Sequence, residues 1–180
     1  MENPFSRREM LIFGVFKILT KTRCISGMLH FKNGDLDGDK IYYLSFDGDK
    51  PIMTLVRGRI ENSVTENKER SKAWKQKITQ QIMKKRDGVQ NNENHYAISV
   101  SMKFHLKTHG NLKLDAENYL KPILDGVAAG LFVSDNTNPS EISHFNYDDS
   151  NFDKVYFEKL SPALTFEDEF VTIIISKKPT

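Results

Sequence analysis

The stretch from Lys113 to Asp135, KLDAENYLKPILDGVAAGLFVSD, constrains the fold more than any other part of the chain. Leu120, Ile123, Leu124, Val127 and Leu131 recur at steps of three and four and make an apolar stripe, with Glu117, Asn118, Lys121 and Asp125 on the opposite side. Such a helix cannot stand alone, because its stripe must lie on another apolar layer. Pro122 sits inside it, removing one backbone donor and crowding the carbonyl of Asn118. The helix is therefore expected to kink there or to begin properly at Pro122. Gly130 is expected to close it, and Val133–Ser134–Asp135 to bring the chain back.

The layer beneath is expected to be a sheet. His95 to Leu106, HYAISVSMKFHL, alternates with period two and one slip. Ile41–Phe46 ends at Asp47-Gly48, and Ile52–Val56 follows Pro51. Ile142–Tyr147 and Lys154–Phe157 flank the acidic turn Asp148–Asp149, and Phe170–Ser176, FVTIIIS, reads as a central strand. Met28–Phe31 is a further strand, joined to Ile41 by the Gly/Asp-rich segment NGDLDGDK. That segment opens with EF-hand spacing, but its closing position is Leu44, which has no ligand oxygen, so a turn is the better reading. A second helix is expected from about Glu66 to Arg86, with Trp74, Ile78 and Ile82 on one face as core. Ser63 and Glu66 have capping-box spacing, and Gly88 is a natural stop. The fold class is α/β (α+β): a mixed β-sheet packed with two main helices.

Residues 1–40 read as an N-terminal extension and 41–180 as the main domain. Met10–Leu19 lies behind Arg7 and Arg8 like the core of a signal peptide, but Lys17 interrupts it and no small-residue cleavage site follows, so it reads as a buried helix or strand. No run has the length of a membrane span. With one cysteine, Cys24, an intramolecular disulfide and a Cys-rich zinc site are excluded, and a reducing, cytoplasmic setting is expected. His105 and His109 have no cysteine or acid at zinc-ligand spacing.

Net charge is only +2, but it is unevenly spread. Arg57 to Arg86 carries ten basic residues against three acids, while His109 to Phe170 carries four against twelve. A basic face beside an acidic centre suits a protein that holds a polyanion and delivers it to metal ions; a solvated basic helix beside acidic loops accounts for the same numbers. Phosphodiester hydrolysis needs an activated water and stabilised charge on phosphate and leaving oxygen, which hard divalent ions on carboxylates supply. Asp115, Glu117 and Asp135 are three oxygen donors that one fold could bring together. Lys121, about one helical turn beyond Glu117, could stabilise developing charge. On spacing alone an ordinary capped surface helix is slightly favoured: Asp115 as an N-cap, Glu117 as a first-turn acid and Lys121 as its partner.

The segment LDAENYLKPILDGVAAGLFVSD resembles the signature of RusA-type Holliday-junction resolvases. Asp115 matches the first acid, Asn118 the asparagine, Lys121 the lysine, Asp125 the helix acid, and Asp135 the second acid of the closing pair. The resemblance spans about residues 41–176 and is concentrated in 114–135. It implies a homodimer acting on branched DNA in recombination and repair, with magnesium or manganese ions held by Asp115, Glu117 and Asp135. Asp115, Glu117, Lys121 and Asp135 are then the catalytic set, supported by Asn118 and Asp125. Arg57, Arg59, Lys68, Arg70, Lys72 and Lys75 are the candidate DNA-binding groups. Glu117 stands where the family has aspartate, Ser134 replaces the first closing acid, and the turn through Pro139 is longer. These departures motivate an alternative: a catalytically weakened or inactive DNA-binding protein of the same fold.

Overall fold

The computed structural model describes residues 19–20, 29–36, 38–61, 63, 68–90, 93–105, 116–145, 149–160 and 162–179. Its elements in chain order are β1 (Leu19–Thr20), β2 (Leu29–Leu36), β3 (Asp39–Phe46), β4 (Ile52–Arg57), α1 (Lys68–Met83), β5 (Tyr96–Lys103), α2 (Ala116–Phe132), 3-10 turns at Pro139–Glu141 and Asp149–Asn151, β6 (Phe152–Lys159) and β7 (Phe170–Lys177). Apart from Leu19, the Met10–Leu19 run lies outside the described residues.

The mixed α/β class holds. The main sheet has the order β1-β6-β5-β7-β4, with β5 and β6 parallel and the other pairs antiparallel. Strands β4, β5 and β6 therefore all run the same way. The connections β4–α1–β5 and β5–α2–β6 lie over one face of the sheet. Both helices return against the strands, so they run parallel to each other.

Alternation along the strands divides the sheet into two faces. Ile98, Val100 and Met102 of β5, Val155 and Phe157 of β6, and Val171, Ile173 and Ile175 of β7 pack with Trp74, Ile78 and Ile82 of α1 and Leu120, Ile123, Val127 and Leu131 of α2. Ala97 and Tyr156 point the other way, to Leu44 and Phe46 of the β2–β3 hairpin. Three layers result: helices, sheet, hairpin. Burial of the inner faces is the main stabilising term.

The hairpin lies on the sheet through one edge of β3. The backbone N–H of Tyr42 donates to Glu158 Oε2 (3.3 Å), that of Leu44 to Ser99 Oγ (2.7 Å) and that of Phe46 to Ser176 Oγ (2.9 Å). Polar side chains from β5, β6 and β7 thus satisfy donors that burial would otherwise leave unpaired. Lys103 Nζ reaches Asp39 Oδ2 at 2.6 Å and ties the start of β3 to the end of β5.

Burial pushes the Glu158 carboxyl above the usual carboxylate range, against the lowering effect of donors from Tyr42 and the Tyr156 hydroxyl. The Tyr156 hydroxyl is itself pushed up, first by burial and then by the charge of Glu158. A raised carboxyl favours the folded state when protonated. Its stabilisation is full below the ordinary carboxylate range and is lost as pH rises through the raised value. Glu158→Gln keeps an acceptor oxygen and removes the charge. It is expected to raise the thermal midpoint at neutral pH and to flatten the acid-to-neutral slope, read in melts across that range. A lower neutral midpoint would show that the ionised carboxylate is needed.

Four sequence expectations are corrected. NGDLDGDK is not a long turn: β2 and β3 pair in register from Leu29↔Phe46 to Leu36↔Asp39, leaving only Asp37–Gly38 between them. Gly38 has φ +81°, which a two-residue hairpin turn requires. Helix α2 begins at Ala116, not at Pro122, and runs on through Gly130 to Phe132. Pro122 cannot donate to the Asn118 carbonyl, and the backbone N–H of Ser63 takes that acceptor at 2.7 Å. Finally, no strand forms at Ile142–Phe145, and 146–147 lie outside the described residues. Gln76 Nε2 from α1 donates to the carbonyls of Ser140 (2.7 Å) and Ile142 (3.0 Å) in place of a sheet neighbour.

Candidate functional site

The carboxyl ends of β4 and β5 lead into the amino ends of α1 and α2. Open α/β sheets bind ligands at such strand ends, and helix amino termini favour anions. Glu169, fully buried, fastens this end together: Oε2 accepts from the Ile60 N–H (3.2 Å), Oε1 from the His105 N–H (2.9 Å), and its carbonyl from the Gly58 N–H (2.9 Å). Glu169 thereby fixes the bend after β4 that carries Arg57 and Arg59. The buried Glu61 carboxylate lies 3.7 Å from Arg59 and 3.5 Å from Arg70. Arg57 lies over the Phe170 ring, and its carbonyl accepts from Lys77 Nζ.

Beside this end, a cleft of about 550 Å³ opens between the amino-terminal halves of the two helices. Lys68, Lys72 and Lys75 share one side of α1 at steps of four and three, and Lys121 faces them from α2. Four lysines outweigh Glu69 and Asp125 in its lining. Lys75 is fixed: Nζ lies 2.6 Å from Asp125 Oδ2 and 5.3 Å from the centre of the Phe145 ring. Lys121 is loose, 72% exposed and 3.7 Å from Asp125 Oδ1. Lys68 and Lys72 form no ion pair among the described residues. Asp125 thus orients one lysine and leaves the others directed at the cleft, where an oxyanion could be bound.

Several expected site residues meet here, namely Lys68, Lys72, Lys75, Lys121 and Asp125, with Asn118 adjoining through a 3.4 Å contact of its side chain with Ser63 Oγ. Asp115 and the side chain of Glu117 lie outside the described residues. Asp135 is not brought to Lys121. It follows the other end of α2, where Oδ1 lies 2.6 Å from the guanidinium of Arg86. From Lys121 to the last residue of α2 the axis rises about 16 Å at 1.5 Å per residue. Asp135 therefore lies apart from Lys121, at the opposite end of α2. Among the described residues no three His, Cys, Asp or Glu side chains gather to hold a metal ion.

Sequence reasoning missed Ser63, Ser71, Ser143, His144 and Phe145, which also line the cleft. Ser143, His144 and Phe145 come from far along the chain, and no local periodicity marks them. Compared with known proteins, the chain matches no family model, no curated protein and no solved structure. Among the described residues, no helix is long and apolar enough to cross a membrane.

Proposed function

We propose that the chain is a divalent-metal-dependent endonuclease of RusA type, acting on branched DNA. The observation that carries the reading is the lysine-lined cleft at the amino ends of two parallel helices. Lys68, Lys72 and Lys75 would hold backbone phosphate, and Lys121 would steady charge at the scissile group. Magnesium or manganese would take oxygen ligands from Asp115 and Glu117, in the segment that enters α2. Two such centres in a homodimer would address the two equivalent strands of a four-way junction.

The test is nicking of a synthetic four-way junction with magnesium, with manganese and with EDTA. Nicking is expected with metal and not with EDTA. Asp115→Asn and Lys121→Ala are each expected to lower the rate at least about 100-fold, the order seen when one electrostatic contact to a transition state is removed. Absence of metal-dependent nicking, or full activity in Asp115→Asn, sinks the reading.

A second reading, binding without cleavage, is favoured by one observation: Asp135 is engaged by Arg86 at the far end of α2. It predicts salt-sensitive junction binding with no nicking under any metal condition. Asp135→Asn separates the roles of that acid. Unchanged nicking would leave Asp135 as a helix-end group, while loss of nicking in a folded variant would return it to the catalytic set.

A further inference from the structure

We infer that the cleft takes an unpaired nucleotide, with its phosphate on the lysines and its base against the His144–Phe145 wall. This deepens, and rests on, the nucleic-acid reading above. The two sides of the cleft are chemically different. One, the surface of the two helices, is cationic, with Lys68 and Lys72 on α1 and Lys121 facing them from α2. The other presents Ser143, His144 and Phe145, on a backbone that Gln76 pins to α1 through two hydrogen bonds and that Ile142 anchors by burial.

Lys75 lies between the two sides. Its charge is balanced by Asp125 at 2.6 Å and its ammonium lies 5.3 Å from the centre of the Phe145 ring, so it braces the wall while the other three lysines serve the anion. A volume of about 550 Å³ is on the scale of a small-ligand pocket, not of an extended duplex groove. In a duplex each base has both faces covered by its neighbours. Only a base turned out of the stack, or one in a single strand, can use an aromatic wall. The cleft therefore selects for the unpaired nucleotides found at branches, gaps and frayed ends. Regular duplex would reach only its cationic side.

The experiment is fluorescence anisotropy of the full chain in EDTA, which removes cleavage from the measurement. Three labelled probes of equal length are compared: a single strand, the same strand with abasic sites throughout, and a blunt duplex. The single strand is expected to bind about tenfold more tightly than the abasic strand, the order of one base–aromatic stack. His144→Ala and Phe145→Leu should erase that difference and leave abasic binding unchanged. His144 is exposed, so its variant keeps the test independent of any folding defect in Phe145→Leu. Lys72→Gln should weaken all three probes and shallow the salt dependence. Equal binding of natural and abasic strands, or preference for the duplex, overturns the inference and leaves the nucleic-acid reading standing. Failure to bind any probe overturns the inference too, and nicking of the four-way junction then decides the nucleic-acid reading separately.

Discussion

Arg86→Met is expected to destabilise the fold by about 3 kcal/mol, because one buried and one half-buried carbonyl at the end of α2 lose their donors and each orphan costs about 1–3 kcal/mol. The guanidinium, whose side chain is fully buried, donates through Nη1 to the carbonyls of Gly130 and Leu131 and through Nη2 to that of Val133 and to Asp135 Oδ1, all at 2.6–2.7 Å. Leu131 keeps a second donor, the backbone N–H of Gln90, so only Gly130 and Val133 are stranded. One effect opposes this. Arg86 Nε is buried with no hydrogen-bond partner among the described residues, and replacing a buried charge by an apolar chain of similar size relieves its desolvation. That relief is complete only when both sides of the interaction are replaced; here the carbonyls remain, so the loss dominates. Arg86→Lys should fall between, since one ammonium cannot span three carbonyls. Asp135→Asn should cost no more than about 1 kcal/mol, because that carboxylate is 62% exposed and solvent screens the pair. Denaturant midpoints give the order. An unfolding free energy for Arg86→Met within about 0.5 kcal/mol of the parent would show that the guanidinium does not hold this helix end.

The same residue shows where the sequence was legible and where it was not. Periodicity identified both helices, β5 and β7, because those segments bury one face or both and their patterns answer to burial. In the sequence Arg86 is only the last of the basic residues counted from Arg57. Its partners are on the other helix, because the two helices run parallel. That follows from the two crossovers sharing a sheet face, a property of the whole topology. Pro122 was misread for a similar reason. Its missing donor was visible, but the compensating Ser63 N–H comes from a loop 55 positions before Asn118 in sequence. Asp37-Gly38 is a two-residue hairpin signal in its own right; treating the whole polar segment as turn concealed it.

The candidate site divides along the same line. The lysines on α1 were recognisable as one cationic face, and Lys121 and Asp125 as one face of α2. Their convergence, and the third wall from Ser143 to Phe145, depend on helix register and on Gln76. Neither leaves a local trace. Asp135 shows the converse case: a motif aligned it with the catalytic acids, while the helix from Lys121 to Phe132 carries it away from that lysine.

Gly130→Val is expected to lose about 3 kcal/mol, the upper range for overpacking a filled interior. Gly126 and Gly130 lie one helical turn apart on the face of α2 that meets α1. A Cβ at Gly130 would stand 2.5 Å from Ile82 Cβ, and one at Gly126 would stand 2.9 Å from Ile78 Cβ and 3.0 Å from the Lys75 carbonyl. These are contacts with branch-point and backbone atoms, which cannot swing aside as a side-chain end can. Truncating Ile82 to alanine would not rescue the variant, because the Cβ at 2.5 Å remains. Gly130 therefore serves close packing and not helix termination, which is why α2 continues past it. Gly130→Ala should lose less, since alanine's better helix propensity returns about 1 kcal/mol, and Gly126→Ala less again. The helices must separate to admit any of these side chains, and the cleft lies between their amino-terminal halves. Separation would lengthen the 2.6 Å Lys75–Asp125 pair and draw Lys121 away from Lys72. Gly126→Ala, the mildest variant, should thus weaken single-strand binding several-fold while remaining folded at room temperature. Melts and anisotropy on the same samples check both halves, and parent-like binding in a destabilised Gly126→Ala would show that the cleft does not depend on helix spacing.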